Sequence, residues 1–119
     1  MSIKQTEVGK IYAYSTLFDM SASTELELKF TSPAKVVLIL TKASGRVTAP
    51  AVDLVTDVEN PDGTISPQQT LLANEYMQIT TEAADFLEEG AYAVCGTYTD
   101  ATPKVFFGDE GLLTIEANC

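Results

Sequence analysis

The chain has 119 residues, 45% of them hydrophobic and 20% charged, a size and balance that support one buried core and exclude a disordered chain. Its 17 acidic and 7 basic side chains leave a net charge of −10. That field repels phosphate backbones and anionic headgroups, so no nucleic acid and no membrane is expected as a partner.

Apolar residues recur with period two or in short runs between turn signals, and no segment of helical length shows an i, i+3, i+4 pattern. Residues 11–16 read as a first strand. In residues 25–31, Leu26, Leu28 and Phe30 alternate with Glu25, Glu27 and Lys29, the pattern of a strand with one dry and one wet face. Ser32-Pro33-Ala34 breaks it. The run from Lys35 through Val36, Val37, Leu38, Ile39 and Leu40 to Thr41 predicts a strand covered on both faces or central to a sheet. After a turn at residues 43–46, residues 51–58 predict another strand, with Pro50 setting its start near an edge. Glu59-Asn60-Pro61-Asp62-Gly63 is the strongest turn signal in the chain.

A short strand is expected at residues 64–66 and a further one around Tyr76, Met77 and Ile79. Residues 81–87 fit a single helical turn with Thr81 as N-cap. Residues 91–99 alternate Tyr92, Val94, Gly96 and Tyr98 against Ala91, Ala93, Cys95 and Thr97, and residues 105–107 and 112–117 close the set. Seven to nine short strands, with punctuation roughly every ten residues, predict an all-β, immunoglobulin-like antiparallel β-sandwich. One domain over residues 1–119, with short flexible termini, is the expected organisation.

Two stretches resemble known families. Glu88-Glu89-Gly90-Ala91-Tyr92-Ala93-Val94 resembles the acidic-x-Gly-x-Tyr-x-Cys motif that opens strand F of immunoglobulin domains, with Val94 at the cysteine position. The resemblance implies that Tyr92 forms a tyrosine corner, its hydroxyl bonded to nearby backbone. Cys95 is one residue out of register and so points to the opposite face. Residues 17–33, with Phe86-Leu87-Glu88-Glu89-Gly90-Ala91-Tyr92 and residues 105–117, resemble Ig-like domains of bacteriophage structural proteins, among them the N-terminal domain of phage baseplate upper proteins. Leu87 precedes Gly90 by three residues where that pattern has four. The resemblance implies a small virion component, such as a capsid decoration, neck or tail-adaptor protein, made in the host cytoplasm.

Catalytic chemistry finds little to work with. There is no histidine, so triads of the Ser-His-Asp or Cys-His kind have no base. Cys95 sits in an apolar strand without a basic sequence neighbour and reads as an inert structural thiol. Glu88/Glu89 and Asp109/Glu110 read as solvated turns. None of the seven glycines falls in a phosphate-cradling motif. Residues 57–63 crowd three carboxylates and an amide as hard-cation loops do, but Pro61 stands where a ligand is wanted and Gln68 replaces the closing glutamate. No catalytic residue, cofactor or metal is expected, and the chain is read as a non-enzyme.

The expected function is docking onto other virion proteins, capsid or tail subunits, as a homo-oligomer within a symmetric assembly. A carbohydrate or receptor-binding module is the alternative. The candidate contacts are residues 2–9 and 116–119, loops 41–49 and 99–104, the aromatics Tyr98, Phe106 and Phe107, and Cys119 as a reach to a neighbouring subunit. The basic residues Lys4, Lys10, Lys29, Lys35, Lys42, Arg46 and Lys104 are scattered in sequence, which predicts no concentrated basic patch.

Overall fold

The computed structural model describes residues 3–118, so the Cys119 contact lies outside the described residues. The chain is all-β, with no helix among the described residues. The strands are β1 (Ile3–Lys4), β2 (Ile11–Ser15), β3 (Ser23–Thr31), β4 (Val37–Thr41), β5 (Leu54–Glu59), β6 (Ile65–Leu71), β7 (Tyr76–Thr80), β8 (Gly90–Asp100), β9 (Val105–Phe107) and β10 (Gly111–Glu116). One six-stranded sheet runs β1-β10-β8-β3-β4, with β9 also paired to β8. Two smaller sheets are β2-β7 and β5-β6.

Alternation sets which side chains meet. Leu26, Leu28 and Phe30 of β3, Tyr92, Val94 and Tyr98 of β8, and Leu113 and Ile115 of β10 all point to one side of the large sheet. There they join Tyr12 and Tyr14 of β2 and Met77 and Ile79 of β7 in a single buried cluster. Edge-to-face contacts link Tyr12 to Phe30, Phe30 to Phe86 and Phe86 to Tyr92, with ring centroids 5.2–5.7 Å apart, the arrangement favoured by ring quadrupoles. Burying these side chains is the main stabilising term of the fold.

Several sequence expectations are corrected, first the strand number, since ten form among the described residues where seven to nine were expected. The sheet is mixed, because β1 runs parallel to β10 with Ile3 opposite Ile115. The N-terminal segment is tied down as well: Ile3 is buried and the Gln5 N–H donates to the Glu116 carbonyl at 2.8 Å. The expected strand at 51–58 starts at Leu54, and the short one at 64–66 extends over Ile65–Leu71 to form a hairpin with it. Residues 81–87 make no helical turn. They form a tight turn closed by the Asp85 N–H on the Glu82 carbonyl, while the Thr81 hydroxyl accepts the Lys10 N–H instead of capping.

The last correction concerns residues 35–41. Their continuous apolar run predicted a strand covered on both faces or central to a sheet, yet β4 is the last strand of the large sheet and, among the described residues, pairs only with β3. Val36, Val37 and Ile39 are 65%, 47% and 52% exposed, and Leu40 carries the contact with the core.

Candidate docking surface

The long strand β8 organises the uncovered face of the large sheet. Its first half pairs with β10, Leu113 opposite Tyr92, and its second half with β9, Phe107 opposite Thr97. On the other side it pairs with β3, Lys29 opposite Cys95 and Glu27 opposite Thr97. Since side chains alternate, one face presents Val37 and Ile39 of β4, Glu27, Lys29 and Thr31 of β3, Ala93, Cys95 and Thr97 of β8, and Phe107 of β9. Cys95 is therefore exposed, not buried in an apolar strand, because Val94 takes the core side of that register.

The three aromatics singled out in sequence separate. Tyr98 is 7% exposed and belongs to the core cluster. Phe106 stacks on it with centroids 4.8 Å apart and planes 13° from parallel. Phe107, one residue on and so on the opposite face, is 75% exposed. The loop before β9 is set by Asp100, whose Oδ1 accepts the N–H of Thr102 at 2.9 Å and of Lys104 at 2.8 Å. Those bonds, with the Thr102 hydroxyl first, hold the Asp100 carboxyl below the usual carboxylate range.

Tyr92 stands at the start of β8 with its hydroxyl donating to the Glu88 carbonyl at 2.8 Å and accepting the Glu88 N–H at 3.2 Å. Burial pushes its pKa up. Beside it, a cleft of about 260 Å³ is lined by Val36, Val37, Leu38, Ala84 and Leu87, so the exposed β4 edge ends in an apolar notch.

β4 is also an open edge. The Lys42 N–H donates to the Leu26 carbonyl and the Ser32 N–H to the Val36 carbonyl, which fixes the even-numbered residues of this pair as the ones bonded to β3. The backbone groups of Val37 and Ile39 then point away from the sheet. Lys35 and Lys42 bracket this edge, and Lys29 stands opposite Ile39. All three are exposed, and none makes an ion pair among the described residues. The lysines are not scattered evenly along the chain: every charged residue from 28 to 52 is basic and every one from 53 to 103 is acidic, although Glu25 and Glu27 of β3 stand beside the same edge. That division is a sequence signal that reading each lysine singly overlooks.

The acidic turn at residues 57–63 is occupied by its own donors. Asp62 Oδ1 accepts the Thr64 N–H at 3.0 Å, Asp57 Oδ1 the Gln68 N–H at 3.0 Å, and Glu59 Oε1 the Thr114 N–H at 2.7 Å. Gly63, at φ 88°, supplies the left-handed residue that closes the hairpin. These carboxylates serve separate donors. Among the described residues, no three His, Cys, Asp or Glu side chains form a metal-binding group.

Comparison with protein-family models, with curated proteins and with solved structures found no match to this chain.

Proposed function

We propose that this chain is an immunoglobulin-like sandwich that serves as a structural subunit of a bacteriophage particle, at the capsid, neck or tail, and works by docking to other virion proteins. The observation that carries the reading is the open β4 edge, continuous with a sheet face that no other strand among the described residues covers, where Val37, Ile39 and Phe107 stand exposed. Open edges and flat, partly apolar faces are surfaces on which a partner sheet or strand adds. The strand order supports the fold half of the proposal. In variable-type immunoglobulin domains the G, F, C and C′ strands lie side by side, with B and E in the facing sheet. Here β10, β8, β3 and β4 stand in that order, β2 and β7 form the separate pair, and the Tyr92 hydroxyl bonds at the start of β8.

Purified particles from a lysate that contains this chain test the functional half by quantitative mass spectrometry. A fixed, integral copy ratio to the major capsid or tail protein is the expected result. A chain that stays in the soluble fraction and is retained on a glycan array would replace this reading with a carbohydrate-binding one.

A further inference from the structure

We infer that copies of this chain associate head to tail, the basic β4 edge of one copy against the acidic β10 side of the next. The inference rests on the docking reading and names the surface and its occupant.

The sheet order separates the two sides. β4 ends the large sheet, and β10 lies beyond β3 and β8 on the far side, three strand spacings or about 14 Å away. Lys29, Lys35 and Lys42 gather at β4. At the far side the β5-β6 hairpin is fastened to β10 by Glu59, whose carboxylate takes both the N–H and the hydroxyl of Thr114. Glu59, Asp109 and Glu110 line one cleft of about 210 Å³ there, with Val58 and Leu112 as its apolar wall. Each side thus joins apolar side chains to an excess of one sign of charge: the three lysines outnumber Glu25 and Glu27 on the β4 side, while Glu59, Asp109 and Glu110 outnumber Lys4 of β1 on the far side.

The same charges disfavour the other way two copies could use this edge. Antiparallel self-pairing of β4 centred on Ile39 would bring Lys35 of one copy beside Lys42 of the second. Lys35 would then stand opposite Ala43, one position from Lys42, so like charges crowd both ends of the pair, which is unfavourable, and edge lysines are a common guard against self-pairing. An acidic surface removes that penalty, and the acidic surface at hand is the far side of the molecule itself. A contact between two different patches is heterologous, so it propagates into a ring or a filament and does not stop at a dimer.

Sedimentation velocity on the full chain tests this. Oligomers are expected at low salt and should dissociate toward monomer as ionic strength rises through a few tenths molar, where the Debye length falls to about 5 Å. Lys35→Glu with Lys42→Glu should weaken association at least about tenfold, and so should Asp109→Lys with Glu110→Lys. Mixing the two variants should restore it, because each retains the side that the other lost. Circular dichroism checks that both variants fold. Association that persists in either variant alone, or fails to return on mixing, would overturn the contact. Recovery of the chain in particles together with a salt-independent monomer would also overturn it and leave the docking reading standing. Salt-sensitive oligomers of a chain missing from particles would do the reverse.

Discussion

The ring of Tyr14 fills the space over Gly96 that a side chain would need: a Cβ placed on Gly96 would lie 2.5 Å from Tyr14 Cε1. Gly96 occupies a core-facing position of β8, between Val94 and Tyr98, so the gap in that row is where β2 packs closest. Gly96→Ala must push the ring or the strand aside, an overpacking expected to cost about 1–3 kcal/mol. Urea denaturation should show a lower midpoint with an unchanged slope. Combining it with Tyr14→Leu should cost less than the sum of the two single changes, and strict additivity would rule out the contact.

Arg46 and Asp85 tie the β4-β5 connection to the turn after β7. Arg46 Nη1 donates to Asp85 Oδ1 at 3.1 Å, and Asp85 Oδ2 also accepts the Glu82 N–H at 2.8 Å. The Asp85 side chain is only 4% exposed, while that of Arg46 is 19% exposed. Asp85→Asn removes the charge that pairs with a partly buried guanidinium, which keeps Glu82 and the Thr80 carbonyl, and a loss of about 2 kcal/mol is expected, below the range for a fully buried pair. Thermal unfolding checks this. A variant as stable as the parent would mean that the pair contributes nothing net.

Tyr92→Phe keeps the ring in the core and deletes the hydroxyl that bridges the Glu88 carbonyl and N–H. The expected loss is about 1–2 kcal/mol, the range for a part-buried hydrogen bond whose partners are left short. Amide exchange should quicken at residues 88–92 and stay unchanged in β2, whereas a uniform change would mean that the corner does not hold this turn.

All five tyrosines, Tyr12, Tyr14, Tyr76, Tyr92 and Tyr98, are buried, and burial pushes the pKa of each one up. A phenol whose folded pKa lies above its unfolded value stabilises the fold fully below the unfolded value of about 10. That stability is lost as pH rises toward the folded value. Tyrosinate absorbance should therefore stay low past that point and then appear in one step with the loss of far-ultraviolet circular dichroism. Smooth titration around pH 10 in a chain that keeps its β signal would contradict the packing.

At the acid end the sign is reversed. Hydrogen bonds from Thr102 lower the Asp100 carboxyl, and those from Thr64 lower that of Asp62. Such groups stabilise the fold above the unfolded carboxylate value of about 4, and the contribution is lost as pH falls through their folded values. Asp100→Asn should leave a chain that is less stable at neutral pH and less sensitive to acid. An acid transition unmoved by this change would remove Asp100 from the account.

Much of the layout was legible because local rules wrote it. The period-two pattern of Leu26, Leu28 and Phe30, and of Tyr92, Val94, Gly96 and Tyr98, names the side that is buried, since successive side chains in an extended chain must diverge. The offset between Val94 and Cys95 likewise placed the thiol away from the core, although its exposure depended on no strand covering that face. Cover of that kind is where sequence reasoning misread Val36, Val37 and Ile39: an apolar run reports a preference for extended structure, not the number of neighbours the strand acquires. In the same way Ile3 and Lys4 carry no strand signal until Ile115 and Glu116 arrive beside them.

The sequence by itself determined the all-β class and the inward side of the long strands, because both follow from alternation along a single segment. Only the tertiary structure decided that β4 is an edge, that Lys29, Lys35 and Lys42 gather there, and that the acidic hairpin is fastened to β10 on the far side. Each of those facts is a pairing between segments distant in the chain. Pairing is settled by which surfaces bury one another when the whole core closes, a condition that no single stretch of residues contains.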